Sequence, residues 1–269
     1  GQIDEGFDSD NDGTADCFDL CPNWPYDCSE DGTHIVAVGQ SIQQAIDAVP
    51  ANGTVEIAAS TFPITTTIDP AGKAVTIRGT TDESGVLVTI LDGGGSTRVL
   101  QCVNGEGANT IFENLVIQNG YAFDGGGMFN TKSSPTLTNC TFTNNSADNT
   151  GGGMSNYDGC NPTLTNCTFT NNSADSGGGL ENYLNCNPTL TNCTFANNSA
   201  NDGSGGGMQN YNNSNPTLTN TVVCSNSPDQ ISGGYADEGG NCITEVCDTD
   251  GDGTRDCEDI CPGEDDSID

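Results

Sequence analysis

The sequence predicts an all-β fold, a parallel β-solenoid, on three observations. Gly125-Gly126-Gly127-Met128 returns as Gly151-Gly152-Gly153-Met154, Gly177-Gly178-Gly179-Leu180 and Gly205-Gly206-Gly207-Met208, at spacings of 26, 26 and 28 residues. A second phrase, Pro135-Thr136-Leu137-Thr138-Asn139-Cys140-Thr141-Phe142-Thr143-Asn144-Asn145-Ser146-Ala147, returns from Pro162 and Pro188 and in altered form from Pro216. Within it, apolar residues alternate with Thr, the period of a strand and not of a helix. A fixed period of this size means stacked, equivalent units.

Each unit holds two or three short strands bounded by Gly, Asn and Pro, the turn formers. One lap cannot bury its own apolar face, so successive laps pair strand on strand. Met128, Leu137, Cys140, Phe142 and Ala147 are the expected inward residues. Asn139, Asn166, Asn192 and Asn220 fall at a corner and are expected to form a buried ladder that satisfies turn backbone groups. Upstream, Phe112 to Asn119 fits the second phrase residue for residue, which places Leu115 where Cys140 stands.

These phrases resemble the right-handed parallel β-helix repeats of secreted bacterial surface proteins related to the polymorphic outer-membrane proteins. The resemblance spans roughly residues 35 to 230 and implies the fold; that family is functionally mixed, so it implies no activity.

Taken from the start, residues 8–22 carry Asp8, Asp10, Asp12, Thr14, Asp16 and Asp19 around Gly13. Oxygen ligands at loop positions 1, 3, 5, 7, 9 and 12, with Gly at 6, suit Ca²⁺, a hard cation that takes 6–8 oxygens. Asp248, Asp250, Asp252, Thr254, Asp256 and Asp259 repeat these intervals near the other end. Both stretches resemble the thrombospondin type-3 repeat, which implies calcium-stiffened spacers. The expected organisation is a calcium segment at 1–33, a β-helix at 34–236 with regular repeats over 125–230, and a second calcium segment at 237–269.

Ser41 to Val49 reads as a helix. Ser41 and Gln44 form a capping box, and Ile42, Ala45, Ile46 and Val49 share one face. It is the expected cap of the solenoid's open end. Strands follow at 54–58, 74–78, 86–91 and 99–103. His34 lies beside an apolar run and is assigned a structural role.

The chain has 269 residues and a formal net charge of −33, with five basic residues. That balance argues against nucleic acid and against anionic membrane surfaces. Of the 38 acids, 10 lie in residues 1–32 and 13 in residues 237–269, a focusing of charge that calls for a cation. No apolar run is long enough for a membrane-spanning helix. The chain begins Gly1-Gln2-Ile3, as a processed or excised segment would.

Fourteen cysteines fit an oxidising, extracellular setting, secreted or at the cell surface. Cys140, Cys167 and Cys193 read as buried free thiols. Cys160 and Cys186 stand one lap apart in equivalent turns, within disulfide reach. Cys17, Cys21, Cys28, Cys224, Cys242, Cys247, Cys257 and Cys261 are assigned to the two tips, with pairing left open.

Catalysis is not expected. The candidate bases Lys73, Arg78, Arg98 and Lys132 share no lap position, and Asp124, Asp148, Asp175 and Asp202 read as a carboxylate row that caps turns or binds cations or sugars. The function read from the sequence is an extracellular, calcium-binding, non-enzymatic structural rod, joined through its calcium loops to neighbouring segments or to copies of itself. Its alternatives are an adhesin for surface glycans or proteins, a polysaccharide lyase or hydrolase, and an ice-binding protein using ladders of Thr136, Thr138, Thr141, Thr143 and their equivalents.

Overall fold

The structure, a computed structural model, describes residues 33–247. Over that span the chain winds into a parallel β-helix, as the period requires. Leu137 pairs in register with Phe112 on one side and Leu164 on the other. Phe142 pairs with Ile117 and Phe169 in the same way. The strands line up in sheets of nine, eight, six and four. The nine-stranded sheet runs from His34–Val36 to Ala236–Asp237, and the eight-stranded sheet from Ser60–Pro63 to Cys242–Thr244. The six-stranded sheet runs from Leu100–Cys102 to Ile231–Ser232, and the four-stranded sheet from Tyr121–Asp124 to Ser199–Ser204. Strand pairing reaches Thr244, beyond the expected boundary at 236.

The inward residues are those the alternation selects. Met128, Leu137, Cys140, Phe142 and Ala147 are all buried. Phe142, Phe169 and Phe195 stack ring on ring at 4.7 and 4.6 Å, nearly coplanar. Burying each such ring contributes about 1.5–3 kcal/mol. Cys140, Cys167 and Cys193 are buried free thiols. Each aims its sulfur at the carbonyl two residues before it, 3.4 to 3.5 Å away.

The corner asparagines need a correction. Asn139, Asn166, Asn192 and Asn220 do turn the chain, with φ of 52°, 54°, 54° and 48°. Asn tolerates this left-handed region better than most residues. But these four are not buried. The internal ladders are made by other asparagines. Asn145 Nδ2 donates to Asn172 Oδ1, Asn172 Nδ2 to Asn198 Oδ1, and Asn198 Nδ2 to Asn226 Oδ1, at 2.9 to 3.0 Å. Asn130, Asn156, Asn182 and Asn210 form a second ladder at 2.8 to 2.9 Å. Buried amides bonded lap by lap avoid most of the cost of unpaired polar groups, with Asn130 Oδ1, at the end of its ladder, left without a partner.

The helix is Ile42–Ala48, capped by Ser41 Oγ, which accepts from the Gln44 amide at 3.3 Å. Ile42, Ala45, Ile46 and Val49 are buried as its pattern predicts, and it packs on the first two strands of the nine-stranded sheet. At the other end a disulfide joins Cys224 to Cys247.

Candidate functional site

The glycine triplets shape the outer surface as well as the core. Gly125, Gly151, Gly177 and Gly205 all take φ near +60°, a region that side chains rarely adopt. A Cβ on the next glycine, Gly126, would collide with the Ser146 carbonyl, so the backbones approach more closely than any other residue permits. This tight reversal carries the chain from the four-stranded sheet into the six-stranded one.

A cleft of about 460 Å³ opens beside that reversal. Asp124, Asn149 and Thr150 line one side; Phe129, Ser155, Glu181, Tyr157 and Tyr183 line the other. The second wall comes from strands in register. Phe129 pairs with Ser155, Ser155 with Glu181, and Glu181 with Gln209. Two residues along, Thr131, Tyr157, Tyr183 and Tyr211 form the next column. Tyr157, Tyr183 and Tyr211 stack at 5.4 and 5.7 Å.

Two carboxylates face this cleft, joined by hydroxyls. Thr150 Oγ1 donates to Asp124 Oδ1 at 2.9 Å and lies 3.4 Å from Ser155 Oγ. Ser155 Oγ donates to Glu181 Oε2 at 3.3 Å. Asn149 Nδ2 donates a second bond to Asp124 Oδ1 at 2.9 Å. Glu181 is only 6% exposed although it sits on the outward side of its strand. Gly177 makes room for it: a Cβ there would lie 2.9 Å from the Glu181 Cβ. Burial pushes the Glu181 carboxyl up to about 7, and the charges of Asp124 and Asp202 add to the rise, against hydrogen bonds from Thr150 and Ser155. A carboxylic acid still protonated near neutrality, in a cleft beside a second carboxylate, is the arrangement that general acid catalysis uses.

Arg98 borders the groove beside Phe129 and Asp124. Its guanidinium lies 5.0 Å over the Phe129 ring. Its nitrogens donate to the Gly125 carbonyl, the Asp124 carbonyl and Gln101 Oε1 at 3.2, 2.9 and 3.1 Å.

Several expectations are corrected by this geometry. Asp124, Asp148, Asp175 and Asp202 do not form one row. Asp124 pairs with Thr150, Thr150 with Ser176, and Ser176 with Ser204, because the register shifts between these strands. Asp148 instead accepts from the Tyr121 hydroxyl at 2.8 Å. Cys160 and Cys186 lie one lap apart as buried free thiols, with the Cys160 amide 3.2 Å from the Cys186 sulfur, so the bridge read between them is not formed here. The other candidate bases are engaged elsewhere. Lys73 caps the helix carbonyls of Ile46, Asp47 and Val49, Arg78 pairs with Glu113, and Lys132 pairs with Asp158. Burial, with the charge of Lys73, lowers the pKa of His34. The metal loops Asp8, Asp10, Asp12, Thr14, Asp16, Asp19 and Asp248, Asp250, Asp252, Thr254, Asp256, Asp259 lie outside the described residues.

Glu181 was not legible as a site residue from the repeat. A signal for it exists: the residue after Met128, Met154, Leu180 and Met208 is Phe129, Ser155, Glu181 and Gln209 in turn. An acid at a position otherwise without charge breaks the repeat without a structural need to do so.

Fold and pairing together define a parallel β-helix with a groove on its outer surface. The family model described as "right handed beta helix region" matches residues 83–250, more than half of the chain. The chain belongs to this right-handed β-helix family. None of the curated proteins compared with it matches. Among solved structures, the crystal structure of pectate lyase Pel9A is similar, with a TM-score of 0.48 and 14% identity over 76% of this chain and 67% of that one. At this distance the likeness concerns the fold, and no residue role is carried across. The expectation of a non-enzymatic chain does not stand: the right-handed β-helix family matched here includes glycosidases and lyases. No match supports the finer resemblances, to outer-membrane proteins and to thrombospondin repeats.

Proposed function

We propose that this β-helix cleaves a polysaccharide in the groove between Asp124 and Glu181. The observation that carries the reading is the environment of Glu181, a carboxyl nearly excluded from water and linked through Ser155 and Thr150 to Asp124. Glu181, still partly protonated near pH 7, is suited to protonate a leaving oxygen, and Asp124 to act as the partner carboxyl group. Thr150 and Ser155 hold the two carboxyls in place. Phe129, Tyr157 and Tyr183 supply the apolar surface that sugar rings require beside hydroxyl-binding groups.

The test is release of new chain ends from a glycan panel by the wild-type protein and by Glu181→Gln and Asp124→Asn. The expected result is cleavage by the wild type and a loss of about 10²- to 10⁴-fold in Glu181→Gln. Equal cleavage by both variants, or none of any glycan by the wild type, would overturn it.

The same proposal takes calcium as a ligand of the two Asp loops and the exterior of the cell as the setting. The spacing of Asp8 to Asp19 and of Asp248 to Asp259 supports the first, and the cysteine content supports the second.

A further inference from the structure

The groove's charge narrows the substrate. Asp124 and Glu181 line it, and Asp202 is close enough to raise the Glu181 pKa. The phenols of Tyr157 and Tyr183 make up the rest of the titratable lining. Against these acids stands one bordering cation, Arg98, whose three nitrogens already donate to the Gly125 and Asp124 carbonyls and to Gln101. Lys73, Arg78 and Lys132, the other Lys and Arg of the described residues, are held at the helix end, by Glu113 and by Asp158.

A polyuronate presents one carboxylate per sugar. In this groove each would meet like charge without a free cation to receive it. Removing a proton beside such a carboxylate, the first step of an elimination, calls for a positive charge on the acid group, and the Lys and Arg side chains of the described residues are all engaged elsewhere. An uncharged chain meets no such penalty. Its hydroxyls find Thr150, Ser155, Asn149 and the Asp124 carboxylate, and its apolar ring faces find Phe129 and the tyrosine column.

Resting on the cleavage reading above, we infer that the groove selects an uncharged polysaccharide and that the reaction is hydrolysis, not elimination. Glu181 gives its proton to the bridging oxygen as the bond from the anomeric carbon to that oxygen breaks. Water adds to the anomeric carbon and gives its proton to Asp124. Exchange with solvent then returns Glu181 to the acid and Asp124 to the carboxylate. No oxidant or reductant is involved.

Calorimetry on the Glu181→Gln chain tests selection separately from turnover. The probes are hexasaccharides of glucan, xylan and mannan, set against hexamers of galacturonate and of alginate, each with calcium and again with chelator. At least one uncharged hexamer is expected to bind tenfold or more tightly than either uronate, with Tyr183→Ala weakening it severalfold. Uronate affinity is expected to rise with salt as the repulsion is screened. Tighter uronate binding in either condition, no binding of any uncharged hexamer, or full affinity in Tyr183→Ala would overturn the inference. Products of the wild-type chain give the second reading. Gain of one water per cut supports hydrolysis; unsaturated, ultraviolet-absorbing ends overturn it while leaving cleavage itself in place. An uncharged hexamer that binds but is never cut sinks the cleavage reading and leaves the selection standing.

Discussion

Ser155 and Glu181 stand opposite one another on adjacent parallel strands, and the serine hydroxyl donates to the glutamate at 3.3 Å. Strand register alone brings them together, since equivalent positions on neighbouring laps lie about 4.8 Å apart. The β-helix therefore converts a difference between two copies of one repeat into a contact within one site.

The first prediction concerns pH. Glu181 titrates near 7 in the folded chain, so a reaction that needs it protonated falls as pH rises through that value. The rate profile is expected to show an alkaline limb near pH 7. Ser155→Ala, which removes a hydrogen bond that favours the ionised form, is expected to move that limb upward. Initial rates from pH 4 to 9 check both. An alkaline limb that stays put in Ser155→Ala would remove Glu181 from the proton-donating role.

The second uses the same group for stability. Its folded pKa is raised from 4.5 to about 7, so its contribution is fully present below about 4.5 and is lost as pH rises through about 7. Above that, an ionised carboxylate sits in a place that disfavours charge, at a cost on the order of 3 kcal/mol. Glu181→Gln removes the cost. The variant is expected to be more stable than the wild type at pH 8, and the difference to shrink towards pH 4.5. Urea denaturation at the two pH values checks this; equal stability at pH 8 would mean that Glu181 is better solvated than its burial implies.

The fold was legible in the sequence because stacking demands recurrence. Leu137, Leu164 and Leu190 had to point inward at each lap, and Phe112 aligned with them by counting alone. The site was not legible for the converse reason. Glu181 matters as the copy that differs, and a reading tuned to repetition passes over it. Asp124 was noticed but grouped with Asp148, Asp175 and Asp202, because sequence distance to the glycine triplet ignores the bulge that shifts register between Ala147 and Thr150. The same limit applies to the asparagines: several recur in every lap, and only the side chain's direction separates Asn145, turned inward, from Asn139 at the outer corner.

The third prediction tests the inner ladder. Asn172 Nδ2 donates to the Phe142 carbonyl and to Asn198 Oδ1, and its Oδ1 accepts from Asn145 N and Nδ2. Asn172→Leu removes every one of these bonds and leaves the buried Asn145 amide N–H without its acceptor, while Asn198 Oδ1 keeps the Asn172 amide and Asn145 Nδ2 keeps the Ile117 carbonyl. An orphaned group costs about 1–3 kcal/mol. Asn139→Leu, at a corner open to water, is expected to cost less, although it must hold a positive φ. Thermal unfolding of the two variants side by side checks the order, and a milder effect for Asn172→Leu would show that the ladder relaxes around the gap.

The fourth concerns the ends of the chain. Asp8, Asp10, Asp12, Asp16 and Asp19 carry the ligand spacing of a calcium loop, and Asp248 to Asp259 repeat it. Loss of one ligand from such a loop removes both a carboxylate and the charge that draws the ion. Two calcium ions are therefore expected per chain, one lost in Asp12→Asn, the other in Asp252→Asn, and both in the double variant. Calorimetric titration of the metal-free chain gives the count. The β-helix has its own core of stacked Phe142, Phe169 and Phe195, so chelation is expected to leave its strand circular dichroism in place while releasing both ions. Collapse of the strand signal on chelation would instead make metal a condition of the fold, and a titration without saturable binding would remove calcium from the account of these loops.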